Sequence, residues 1–287
     1  MRLLVADSEG AEARQTRRAS VGQSAGESLV TFLARLEPDA ETVLTTPADA
    51  DAARWTPAQL ERYDGVFLSG SPLHVYEESA EAKRQLDFMR AVFASGTPSF
   101  GSCAGLQVAV AAAGGVVRRM GKRREAGFAR RIVPTDAGRD HPLLRGRPAV
   151  WDAPALHGDE VERLPEGATL LATNRSTTVQ AAEIRHDRGV FWGVQYHPEL
   201  TLTEIAAALR RDMKMLLEDG LVRSPADAAA HADLIATLGR DPARADLAWR
   251  LGVDEEVVVE THRCREPRNF IDFLVRPTMT ARGRPIN

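Results

Sequence analysis

The chain has 287 residues, 44% of them hydrophobic, enough for one large domain or a domain with an extension around a buried core. Its net charge of −3 arises from acids and bases spread along the whole length, which excludes the electrostatic footprint of a nucleic-acid or membrane-surface binder. No apolar run is long enough to span a membrane, and two cysteines, Cys103 and Cys264, exclude a secreted disulfide scaffold.

The first element is Arg2–Ala6, RLLVA, a short apolar run that reads as a buried strand. It meets acidic residues too soon for the apolar segment of a signal peptide, and with only two cysteines and a thiol to keep free, a reducing cytoplasm is the expected setting. Residues 8–24, SEGAEARQTRRASVGQS, are polar and aperiodic and read as a long loop. That loop leaves the edge where open α/β sheets bind ligands, so Arg14, Arg17 and Arg18 are either solvated or available to substrate or partner. Ser24 and Glu27 form a capping box for a helix to Leu36, with Leu29, Phe32, Leu33 and Leu36 on one face. A strand at Thr42–Leu44, a polar segment with Pro57 and a strand at Gly65–Ser69 follow. This alternation predicts a parallel sheet with helices on both faces. A helix over Glu77–Ala94 then carries Ala82, Leu86, Met89 and Phe93 as a core stripe.

Thr97–Gly115, TPSFGSCAGLQVAVAAAGG, runs from a short strand through one small-residue turn into an alanine-rich helix capped by Gly114 and Gly115. Cys103 lies at the apex in a G-x-C-x-G pattern, the strand-to-helix nucleophile elbow with sulfur in place of oxygen. Unpaired N–H groups and the helix dipole favour a thiolate there. Short strands are expected at Phe128–Val133, Thr169–Ala172, Ala181–Ile184 and Val190–Gln195, an antiparallel region that returns the chain. The last of them runs into Gln195-Tyr196-His197-Pro198-Glu199, where Pro198 stops the strand and leaves His197 with a carboxylate two residues on. A lone His-Pro-Glu is more often a turn than a site. Together with Cys103, however, it supplies the base and the orienting carboxylate that thiol catalysis needs.

Thr201 and Glu204 cap a helix to about Leu217. Residues 219–287 then read as a mainly helical extension, with helices at Pro225–Leu238 and Ala243–Leu251, apolar segments at Val257–Val259 and Phe270–Val275, and a polar tail. Too apolar to be disordered, it is expected to pack on residues 1–218 or on a second copy, where it could restrict which substrates enter. His262 and Cys264 have no second pair with metal-ligand spacing, and no Walker or pyrophosphatase loop occurs, so no metal or cofactor is expected. Cys264 reads as structural.

GSCAGLQ around Cys103 and QYHPE around His197 resemble the two signatures of the class I (triad) glutamine amidotransferases. VFLSGSPLHV at Val66–Val75 resembles the family's oxyanion loop, and LHGDEV at Leu156–Val161 resembles the S-H-G-D segment of the amidotransferase domain of GMP synthetase. The resemblance covers residues 1–218. It implies a flavodoxin-like α/β fold with a mostly parallel central sheet, a small antiparallel region and a helical C-terminal extension outside the minimal domain. It implies a Cys103-His197-Glu199 triad acting through a γ-glutamyl thioester. Oxyanion donors are then the Ala104 N–H and the Gly70-Ser71-Pro72-Leu73 loop, Leu73 above all because Pro72 has no N–H. Gln107, Gly158 and Asp159 match positions that hold the α-amino and carboxylate groups of the substrate. Two functions follow: a self-sufficient amidase acting on glutamine or an N-substituted γ-glutamyl amide, or an ammonia-supplying subunit that works docked to a synthetase partner. A homo-oligomer fits either.

Overall fold

The computed structural model describes residues 1–121 and 124–285. β1 (Arg2–Ala6) leads through α1 (Ala11–Val21) and α2 (Ala25–Leu36) to β2 (Glu41–Thr45). α3 (Pro57–Leu60), β3 (Gly65–Leu68), α4 (Ala80–Ser95), β4 (Ser99–Ser102) and α5 (Ala104–Ala112) continue the alternation. Next come β5 (Val116–Arg119), β6 (Glu125–Pro134), the short α6 (Asp136–Arg139), β7 (Trp151–His157), β8 (Asp159–Arg163), β9 (Ala168–Thr173), β10 (Ala181–His186) and β11 (Gly189–Val194). α7 (Leu202–Arg211), α8 (Met213–Glu218) and α9 (Pro225–Arg240) follow, then short helical segments to Ala281.

The main sheet has nine strands in the order β2-β1-β3-β4-β11-β10-β9-β6-β7. From β2 to β11 the pairing is parallel, and from β11 to β7 it is antiparallel. β5 and β8 form a separate antiparallel ribbon. β3 and β4 are buried at every position, as strands covered on both faces must be. The carboxyl ends of β1, β3, β4 and β11 share one edge, so the segments that follow them meet there.

Residues 8–24 are not a loop: they contain α1. The helix hides from a search for apolar periodicity because its buried side chains are Arg14 and Arg17. Arg14 donates to the Glu9 carbonyl at 2.7 Å and to Asp49 at 2.6 Å, while Arg17 donates to Glu204 at 3.1 Å. Arg18 pairs with Glu27 at the surface. Both expected capping boxes form, on α2 and on α7. The helix expected to run to Leu217 turns at Asp212, which separates α7 from α8. β7 shows no strand signal because Pro154 interrupts it, and proline is tolerated there because β7 is the edge of the sheet.

The C-terminal region is helical and shares the core of the sheet. α9 packs on α7 through Ala232, Ile235 and Ala236 against Ile205 and Leu209. Farther on, Phe270, Ile271 and Val275 join Leu3, Phe67, Phe100 and Trp192 on one sheet face. The Phe270 ring centroid lies 5.2 Å from that of Phe67, in an edge-on arrangement. A buried ionic group joins the same region to the strand end that carries His197. Arg147 donates to Glu266 at 2.6 and 2.7 Å and to Glu256 at 2.7 Å, and the Tyr196 hydroxyl donates to Glu266 at 2.7 Å. Burial opposes charge on Arg147, but the carboxylates beside it more than compensate and raise its pKa. Burial raises the Tyr196 pKa, with Glu266 adding to it, so the hydroxyl keeps its proton. Removing one member leaves a buried charge without its partner, so Glu266→Ala is expected to cost about 3 kcal/mol of unfolding free energy in a urea titration. A loss under about 1 kcal/mol would show that Glu256 alone suffices for Arg147.

Candidate active site

Cys103 has φ 52° and ψ −109°, a backbone conformation costing roughly 1–3 kcal/mol in a residue with a side chain. Its surroundings impose it. A Cβ on Gly101 would lie 2.8 Å from the Gly105 carbonyl carbon, and one on Gly105 would lie 2.7 Å from the Leu68 carbonyl oxygen, so strand and helix approach this closely only with glycine at both places. The Cys103 N–H donates to the Val194 carbonyl at 2.8 Å, which ties the turn to β11. The thiol therefore stands at the start of α5, where first-turn N–H groups have no intrahelical acceptor.

β11 delivers the second motif to the same place. The His197 N–H donates to the Pro154 carbonyl at 2.8 Å, and His197 Nδ1 lies 2.8 Å from Glu199 Oε1. Ser102 Oγ donates to that same carboxylate oxygen at 2.8 Å, a contact no motif announced. Burial opposes charge on His197, but the Glu199 carboxylate and the Cys103 sulfur beside it outweigh burial and raise its pKa from 6.5 to about 10. Burial would raise Glu199, yet the His197 charge and hydrogen bonds from His197 and Ser102 lower it. The geometry thus favours a charged imidazolium paired with the Glu199 carboxylate.

Gly70 lies against the histidine ring: a Cβ there would be 2.7 Å from His197 Cε1. The Leu73 N–H, expected to face the oxyanion, donates to Ser71 Oγ at 3.0 Å because a serine two residues back closes a local turn. Gln107 Nε2 donates to the Asp159 carbonyl and to Gln195 Oε1, both at 3.2 Å. The Asp159 carboxylate is held by His74 at 2.5 Å and by the Tyr76 hydroxyl at 3.1 Å. Beneath this segment lies a dyad that sequence reading missed. His157 Nδ1 faces the Asp159 carbonyl at 2.9 Å and its Nε2 faces Glu125 at 2.8 Å. Burial would raise Glu125, but hydrogen bonds from His157, Asn174 and Gln180 lower it and keep it a carboxylate. His157 lies inside LHGDEV and was in reach of a motif search; Glu125 has no local signal.

Cys103, His197, Glu199, Gly70, Ser71 and Leu73 line one cavity of about 330 Å³. Gln107, Gly158 and Asp159 form part of its wall, while Ala104 lies behind the thiol at the first position of α5. Arg17 also reaches the cavity; Arg14 and Arg18 do not. Cys264 is buried elsewhere, with its thiol pushed up by burial.

The raised His197 pKa fixes a sign. Its charged form contributes stability that is present in full below pH 6.5 and fades as the pH rises through about 10. The ring resonance of His197 is expected to titrate near pH 10 and to move down in Cys103→Ala; a midpoint near 6.5 in both proteins would contradict the ion-pair reading. A glutamine-shaped chloroketone is expected to alkylate Cys103 and spare Cys264 in a mass-spectrometric digest, and equal labelling of both would refute the assignment of a single reactive thiol.

A family model described as Glutamine amidotransferase class-I matches residues 21–215. The gamma-glutamyl-L-1-hydroxyisopropylamide hydrolase of a Pseudomonas species is 36% identical over 283 residues, covering 97% of this chain and 94% of that one. The GMP synthase of Leifsonia xyli subsp. xyli is 36% identical over 169 residues, 59% of this chain and 31% of that enzyme. Among solved structures, a glutamine amidotransferase from Thermotoga maritima superimposes with a TM-score of 0.60 at 18% identity, covering 88% of this chain and 97% of that one, a likeness of fold. No helix of the described residues is long and apolar enough to cross a membrane. With the family model spanning more than half of its length, the chain belongs to the class-I glutamine amidotransferase family and is a cysteine-dependent amide hydrolase.

Proposed function

We propose that the protein is a self-sufficient hydrolase of N-substituted γ-glutamyl amides whose leaving group is a small hydroxyalkylamine. The observation that carries this reading is the extent of its similarity to the Pseudomonas hydrolase, which runs through the C-terminal region as well as the amidotransferase part. In this reading Cys103 Sγ adds to the γ-carbonyl carbon to give a tetrahedral oxyanion, which collapses to the thioester as the C–N bond breaks and the amine leaves with a proton from His197. Water then adds to the thioester, gives its proton to His197, and the C–S bond breaks to release glutamate. Glu199 orients the imidazole and stabilises its charge.

The Ala104 N–H and the Gly70–Leu73 loop are the proposed oxyanion donors, each worth about 3 kcal/mol of barrier. The Gly70 and Ser71 N–H groups have no acceptor among the described residues and share this role with Leu73, whose N–H is taken up by Ser71 Oγ. Gln107, Gly158 and Asp159 hold the glutamyl head, braced from behind by His157 and Glu125. The need for a free thiol supports a cytoplasmic setting. The similarity to GMP synthases supports a second reading, an ammonia-supplying subunit docked on a synthetase.

The purified protein alone is expected to release glutamate from γ-glutamyl hydroxyalkylamides on the order of 1 s⁻¹ or faster. Cys103→Ala should reduce that rate by at least about 10³-fold. Inactivity on every amide, relieved by adding a synthetase, would establish the second reading instead.

A further inference from the structure

In the proposed chemistry, His197 delivers its proton to the leaving nitrogen, so a substituent on that nitrogen extends past His197 into the rest of the cavity. The cavity wall beyond the proposed glutamyl-binding residues comes from other elements. Leu200 and, on α7, Ala208 come from the chain after His197, and Glu9 and Arg17 arrive from the segment after β1. The aliphatic residues offer a surface for a short alkyl group. Glu9 is the exception among them: a carboxylate only 5% exposed on a cavity wall.

One of its oxygens, Oε2, accepts the Ala25 N–H at 2.9 Å, while Oε1 has neither a hydrogen-bond donor nor an ion-pair partner among the described residues. That oxygen is not sealed off from the cavity, so it is free to accept from a group bound there. Burial and the Asp7 charge raise its pKa above the usual carboxylate value, against the Ala25 N–H and the Arg17 and Arg211 charges, which lower it.

Resting on the reading of the protein as a hydrolase of N-substituted γ-glutamyl amides, we propose that Glu9 selects the leaving amine. Its free oxygen accepts a hydrogen bond from a hydroxyl on the alkyl substituent, whose carbons lie on Leu200 and Ala208. A carboxylate accepts and never donates, so it rewards an alcohol over both a bare alkyl group and an ether.

The test measures kcat/KM of the full chain on γ-glutamyl amides of 2-aminopropan-1-ol, its methyl ether and isopropylamine. The wild type is expected to prefer the alcohol over the isopropyl compound by about 10- to 100-fold, the worth of a hydrogen bond to a charged acceptor. Glu9→Met should bring that ratio within about threefold of one. Glu9→Gln, which keeps the Ala25 contact through its carbonyl and turns N–H groups to the cavity, should use the ether about as well as the alcohol. A wild-type ratio near one would overturn the proposal whether or not either variant folds, and so would wild-type ratios retained in the variants. A wild type inert on all three amides would overturn the hydrolase reading itself, and this proposal with it.

Discussion

Everything in the site depends on the close approach of β4 and α5 at the Cys103 turn. Gly101 and Gly105 let the strand end and helix start meet without Cβ atoms, and the cysteine between them is forced to positive φ. That strain is sustained because the turn is tied on two sides. The Cys103 N–H is bonded to Val194 in β11, and α5 is buried almost all round against β3, β4 and β11. The same bond fixes the distance between the thiol and the histidine, since His197 leaves the very strand that Cys103 is bonded to. A local backbone constraint thereby positions the thiol and the imidazole together.

The histidine in turn depends on residues far along the chain. Its backbone is held by Pro154 of β7, and its neighbour Tyr196 reaches Glu266 in the C-terminal region. Glu266 is held there by Arg147, itself fully buried. The C-terminal segment also supplies Phe270 and Val275 to the core below β3 and β4. It is therefore part of the support for the site, and the similarity to the Pseudomonas hydrolase extends through this segment.

Charge is arranged in the same layered way. The cavity carries arginines and carboxylates side by side, and most are paired: His74 with Asp159, Arg124 with Asp219, Arg211 with Asp212. Paired groups shape the cavity at little net electrostatic gain, because desolvation offsets attraction. The groups with unused capacity are the informative ones, since a buried polar atom without a partner is destabilising unless function retains it.

That a thiol, an imidazole and a carboxylate would come together was legible in the chain because Cys103, His197 and Glu199 each sit in a short motif with a definite local geometry. The glycines beside Cys103, Pro198 after His197 and the capping boxes at Ser24 and Thr201 act over a few residues, and such signals survive in sequence. The mainly parallel alternation of strand and helix up to Cys103 was legible for the same reason. α1 was not, because its inward face is arginine and its stability comes from partners at Asp49 and Glu204. Nor was β7, whose Pro154 contradicts a strand until the fold puts it at a sheet edge. Glu9, Glu125 and Glu266 gained their roles only in three dimensions. None of the three sits in a motif, and only burial and the surroundings that the fold brings together make its charge matter.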